Sequence, residues 1–197
     1  REGEPVKFIG VGRMVEKKGF DDAVRAFASL RKEHGFENAT LTLIGDGENR
    51  DFLENFATSL NLGGLVRFAG LLPHAEVRRE LSEAHIFVLP SKTAANGDME
   101  GIPVALMEAM AQGMPVLATR HSGTPELVEH DVSGLLCKEG DWRTLSANMA
   151  AIARAPERWA AMGEAGSARV RAEFDLKVWN DRLLQRLNLL AAGKRAL

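Results

Sequence analysis

Six short apolar runs, separated by stretches of helical length and pattern, constrain this chain more than any other feature. The runs are VKFIGVG (6–12), ATLTLIG (39–45), LVRFAG (65–70), HIFVLP (85–90), PVLAT (115–119) and SGLLC (133–137). Most are apolar on both faces instead of alternating, as buried parallel strands with helices on either side require. Helical segments are predicted near 19–34, 48–60, 74–83, 103–112 and 124–129. This order predicts an α/β fold, a Rossmann-like doubly wound parallel sheet of about six strands. After residue 140 the strands stop. DWRTLSANMAAIARA, PERWAAMGEAGSARVRAEF and DLKVWNDRLLQRLNLLAAG read as three helices, a helical C-terminal portion of about 141–197. In the last of them Trp179, Leu183, Leu187 and Leu190 form an apolar stripe, which suits packing on the chain's own sheet or docking on a second domain.

The 197 residues suit one domain, 1–197. A net charge of −2 gives no reason to expect nucleic acid as a partner. Cys137 is the only cysteine, so no intramolecular disulfide forms, in keeping with a cytoplasmic location. No apolar run reaches the ~20 residues of a membrane span, and no signal peptide is visible. The chain enters its first strand by residue 6, so we expect a domain of a longer chain.

Two stretches carry the chemistry. In GVGRMVEKKGF (10–20) a G-x-G follows the first strand, but Val15 stands where a dinucleotide fingerprint needs a third glycine. Arg13 and Lys18 flank a turn at the carboxyl end of that strand, the edge at which open α/β sheets bind ligands. They could neutralise a diphosphate, Arg13 by its fork of donors and Lys18 as a point charge; a solvated basic turn explains them equally well. In EGIPVALMEAM (100–110), Glu100 and Glu108 are separated by seven residues. Pro103 suits the first turn of a helix, with Gly113 as its stop. The amides of Gly101, Ile102 and Val104 then point out of the helix start, ready for a phosphate. Carboxylates there would repel a phosphate but accept hydrogen bonds from hydroxyls, and a sugar nucleotide offers hydroxyls on both sides of its diphosphate. The plainer readings are an acid favoured by the helix dipole for Glu100 and a solvated face for Glu108. Leu106, Met107, Ala109 and Met110 argue against full exposure of Glu108.

Other motifs are weaker. The acidic pair Asp98 and Glu100 resembles the D-x-D metal motif of some sugar transferases, but a polar turn accounts for it, and no metal is expected. GDGE (45–48) reads as a strand-to-helix turn with acidic capping. Of the five histidines only His121, in RHSGTPE, falls near the expected cleft. Cys137 reads as a buried strand thiol.

GVGRMVEKKGF, LTLIGDGE, VRFAGLLP, HIFVLPS, EGIPVALME, AMAQGMPVLAT and GTPELVE, in this order over roughly residues 6–137, resemble the C-terminal donor-binding domain of retaining glycosyltransferases of family four, one half of a GT-B enzyme. NGDMEGIPVALMEAM is most similar to bacterial exopolysaccharide enzymes of the colanic acid type. The resemblance implies a catalytic set of Glu100, Arg13 and Lys18, with Arg13 and Lys18 on the donor diphosphate. Glu108 would hold the ribose hydroxyls and Glu100 those of the transferred sugar. Gly101, Ile102 and Val104 would cap the distal phosphate, where Pro103 has no N–H to offer. Backbone around Arg67 and Phe68 would read the base. The implied substrate is a UDP- or GDP-linked sugar, with no further cofactor and no metal. Implied partners are an N-terminal domain of the same enzyme and an acceptor glycan or lipid-linked saccharide, with peripheral attachment at the inner face of the membrane in the full-length enzyme. A non-catalytic sugar-nucleotide module and a GT-B-related epimerase are the alternatives.

Overall fold

The computed structural model describes residues 5–194. Its strands are β1 (Lys7–Val11), β2 (Thr40–Ile44), β3 (Val66–Gly70), β4 (Ile86–Leu89), β5 (Val116–Thr119) and β6 (Gly134–Cys137). They form one sheet in the order β3-β2-β1-β4-β5-β6, every pairing parallel. Every residue of β4, β5 and β6 is buried, which is why these runs are apolar without alternation. The helices between strands are α1 (Phe20–His34), α2 (Arg50–Ser59), α3 (His74–Glu83), α4 (Val104–Ala111) and the short α5 (Thr124–Leu127).

This strand order sets the position of the site. The chain builds outward from β1 to β3, then crosses back to lay β4 on the other side of β1. The connections leaving β1 and β4 therefore diverge to opposite faces and open a crevice at the carboxyl ends of the two strands. The floor beside it is tight. Gly45, just past β2, has φ 132°, and a Cβ there would lie 1.9 Å from the Gly12 carbonyl oxygen. Only glycine allows the loops after β1 and β2 to approach this closely.

The C-terminal portion comprises α6 (Trp142–Ala153), α7 (Trp159–Arg169) and α8 (Leu176–Lys194). The segment expected as one helix from Pro156 to Phe174 is a 3-10 turn (Pro156–Arg158), α7 and a π-helical stretch (Val170–Phe174). The wider π turn keeps both Val170 and Phe174 packed against the core. Helix α6 packs along α1, where the buried Ser29 and Ser146 hydroxyls pair at 3.0 Å, and α7 packs along α4. The α8 stripe does not pack on the sheet: Trp179, Leu183 and Leu187 are each more than half exposed. The Leu190 side chain lies outside the described residues. Among the described residues no helix is long and apolar enough to cross a membrane.

Candidate functional site

Beyond β1 the chain makes a 3-10 turn, Glu16–Lys18, and the loop that follows β4 is laid across it. Lys92 joins the two: its N–H donates to the Lys17 carbonyl (2.9 Å), and its ammonium meets Asp21 (2.7 Å) and Asp22 (3.0 Å) at the start of α1. Burial, then the Asp21 charge, pushes the Asp22 carboxyl up, against the pull of Lys92. From the other side the Ala95 N–H donates to the Glu16 carboxylate (3.1 Å). Two loops about eighty residues apart in sequence are thus held as one surface.

The site's ion pairs lie on that surface. Lys18 Nζ is 2.9 Å from Glu100 Oε2, and its aliphatic stem lies over Gly12. Lys17 Nζ lies 3.0 Å from Asp98 and 3.5 Å from Glu100. The Asp98 hydrogen bond holds the Lys17 ammonium above its ordinary value, and Lys17 holds the Asp98 carboxyl below its own. Arg13 is exposed and lines a cavity of about 220 Å³ together with Lys17, Glu48, Asn96 and Asp98.

Glu100 is fixed from behind as well. Its backbone N–H donates to Nε2 of His121 (3.1 Å), a fully buried ring in the loop after β5. His121 Nδ1 lies 2.8 Å from Glu139 Oε1, and Glu139 Oε2 accepts the Thr93 N–H (2.8 Å). Burial works to raise the Glu139 carboxyl, but the Thr93 N–H and the His121 ring outweigh it and hold the group below its ordinary value. Ile102 packs over Gly123 in the same loop as His121.

Helix α4 starts one residue later than the proline signal suggests. Pro103 is extended (ψ 124°) and caps the helix instead of opening its first turn, and its carbonyl takes the Leu106 N–H (3.0 Å). The amides of Gly101, Ile102, Val104 and Ala105 all precede that first bond, so they take no part in the helix's own ladder. Glu108, in the second turn, has a half-exposed carboxylate 3.3 Å from His74 Nε2 at the start of α3.

Arg13, Lys18, Glu100, Gly101, Ile102, Pro103 and Val104 therefore gather at the carboxyl edge of β1 and β4, with Glu108 one helical turn on. The Arg67 side chain does not join them: its guanidinium pairs with Glu80 of α3, and the residue lines a cavity of about 270 Å³ with Lys7 and Thr40, where the strands begin. The Phe68 side chain packs against the core, and its backbone belongs to the edge strand β3. The capping expected of GDGE takes another form: Asp46 accepts the Gly47 N–H (2.8 Å) inside the loop, and α2 begins at Arg50 without a side-chain cap. Cys137 is buried, and burial pushes its thiol up to about 12. Among the described residues no three His, Cys, Asp or Glu side chains are grouped to hold a metal ion. Sequence reasoning missed Lys17, His74 and Glu139. The one signal for Glu139 was its place two residues beyond the carboxyl end of β6.

An open parallel sheet with a switch point between β1 and β4 defines a class, the Rossmann-like doubly wound domains. The chain belongs to the glycosyl transferases group 1 family, whose pattern matches residues 1–169. It is 42% identical over 189 residues to the amylovoran biosynthesis glycosyltransferase AmsK of Erwinia amylovora, covering 95% of this chain and 46% of AmsK. WcaL of Escherichia coli K12, whose name ties it to colanic acid biosynthesis, is 40% identical over 94% of this chain and 46% of its own length. The fold is one half of a GT-B glycosyltransferase. It superposes on sucrose-phosphate synthase of Thermosynechococcus elongatus with a TM-score of 0.83 and 26% identity, over 96% of this chain and 46% of that one. The chain spans about half the length of the curated relatives it matches.

Proposed function

We propose that this chain is the donor-binding half of a retaining glycosyltransferase that moves a sugar from a nucleoside diphosphate to an acceptor hydroxyl in bacterial polysaccharide or glycolipid synthesis. The observation that carries the reading is the 2.9 Å pair between Lys18 and Glu100, which joins the turn after β1 to the loop before α4. A cation for phosphate and a carboxylate for hydroxyls are adjacent there, as a sugar diphosphate requires. Arg13, Lys18 and the α4 amides face the diphosphate, Glu108 the ribose, and Glu100 the sugar. Breaking the bond from the anomeric carbon to phosphate oxygen leaves the electron pair on the departing nucleoside diphosphate. Preorganised cations and amides stabilise that charge as it develops. The acceptor is held by the half that the relatives have and this chain does not span, so the 197 residues alone bind donor without transferring it.

Isothermal titration of the chain with uridine, guanosine, their diphosphates and their diphosphate sugars tests this. A diphosphate should bind far more tightly than its nucleoside, and affinity should fall as salt rises. Equal binding of nucleoside and diphosphate would contradict the reading.

A further inference from the structure

The loop before α4 has the sequence of a mobile polar turn, yet its Glu100 backbone is tied to a histidine with no exposed surface. An imidazole Nε2 that accepts an N–H cannot carry a proton of its own, so His121 is held as the neutral ring protonated at Nδ1. That Nδ1–H points at Glu139 Oε1 (2.8 Å), and the other Glu139 oxygen accepts the Thr93 N–H (2.8 Å). Both oxygens of Glu139 are therefore acceptors, and together they fix which His121 nitrogen is left bare for Glu100. The chain of contacts runs from the loop after β4, through the residue beyond β6, to the loop after β5 and back to Glu100.

We infer that His121 and Glu139 are positioning residues for Glu100: Glu139 sets the His121 tautomer, and His121 in turn sets where Glu100 presents its carboxylate to the transferred sugar. This rests on the sugar-facing role given to Glu100 above. Neither residue touches the donor. Their contribution is to hold the Glu100 backbone while Lys17 and Lys18 hold its side chain, so that the carboxylate meets the sugar already oriented. Arg13 and the Val104 and Ala105 amides meet the diphosphate outside this link, and only Lys18 and the amides next to Glu100 border it, so the sugar contact should lose more than the diphosphate contacts.

Glu139→Gln is the sharpest probe, because an amide has one acceptor oxygen where the carboxylate has two. It keeps the Thr93 contact and turns its NH2 on His121, forcing the proton to Nε2, or keeps His121 and loses Thr93. Glu139 lies at the surface, so this change leaves the core intact. Long-range nitrogen–proton NMR on histidine-labelled chain should show His121 protonated at Nδ1; protonation at Nε2 in the wild type would overturn the inference. Calorimetry with UDP and UDP-glucose, and with GDP and GDP-mannose, gives the second readout, the gain in affinity due to the sugar. Glu139→Gln and His121→Phe should each reduce that gain about three- to tenfold while changing diphosphate affinity by no more than about twofold, the scale of one hydrogen bond. His121→Gln, whose side-chain oxygen can accept the Glu100 N–H, should recover part of the gain. Glu100→Ala separates the two readings. If it leaves the gain intact, or the wild type shows none, the sugar-facing role of Glu100 is wrong and the positioning role falls with it. If it abolishes the gain while Glu139→Gln and His121→Phe preserve it, the role of Glu100 stands and the positioning role is overturned.

Discussion

The two ends of the same six strands differ in how their charged groups are wired. Where the strands begin, cavities of about 270 and 330 Å³ open, both larger than the one of about 220 Å³ at the carboxyl edge. Charge pairs locally there: Arg67 meets Glu80 and Arg79 meets Glu83, all within β3 and the helix that follows it. Where the strands end, Lys17, Lys18, Lys92, Asp98, Glu100, His121 and Glu139 bind together loops separated by up to eighty-two residues. The volume of a hollow does not distinguish a site. What distinguishes the carboxyl edge is that its polar groups are held in place by partners from elsewhere in the chain, a surface that meets a ligand with little left to reorganise.

The largest contrast should appear in stability. Gly45→Ala puts a Cβ 1.9 Å from the Gly12 carbonyl at the carboxyl edge, whereas Gly64→Ala, at φ 77° before β3, meets nothing within 4 Å. The first should cost about 3 kcal/mol or more and the second about 1 kcal/mol, the strain of a left-handed residue alone. Denaturant midpoints read both, and equal losses would mean that the carboxyl-edge loops are not tightly fitted.

Next comes affinity. Lys18→Ala should weaken a nucleoside diphosphate by about ten- to a hundredfold, the scale of one charged hydrogen bond. Lys7→Ala, lining the cavity at the other end, should change it by less than about twofold. A smaller effect of opposite sign is expected for Asp98→Asn. Asp98 competes for Lys17 and sets a negative charge beside Arg13, so its neutralisation should tighten diphosphate binding about two- to threefold at low salt. Weaker binding would show that Asp98 organises the loop more than it opposes the ligand.

The smallest effect belongs to Cys137, at the carboxyl end of β6. Burial raises its thiol from 9.0 to about 12, so in the folded chain it stays protonated and unreactive at neutral pH. A raised acid in the fold means the unfolded thiol ionises first. Its contribution to stability is whole below pH 9.0 and declines as pH rises toward about 12. Thiol labelling should follow global unfolding, and rapid labelling of the native chain would place β6 in a looser edge than described.

The sheet was legible in the sequence because buried parallel strands leave unbroken apolar runs, and all six fall within the expected segments. HIFVLP became Ile86–Leu89, one residue shorter at each end. The grouping of Arg13 with the α4 start was legible too, since the switch-point rule places both at one edge. The pairing of Lys18 with Glu100 was not, because contacts across eighty-two residues depend on which strand lies beside which. Glu139 stayed hidden in a polar stretch, CKEGD, that reads as a turn. The α8 stripe left two readings open, because three- and four-residue spacing says that one face is apolar, not what covers it.

The carboxyl edge of β1 and β4 is expected to take a nucleoside diphosphate sugar. Amide chemical-shift mapping of the chain, titrated with a diphosphate and then its sugar, tests it most directly. The largest shifts should fall on residues 12–18 and 100–108, with His121 responding only to the sugar form. Residues 64–67, 80–84 and 112–115, around the cavities where the strands begin, should stay still. Shifts concentrated in those three segments, with 12–18 and 100–108 unmoved, would contradict it.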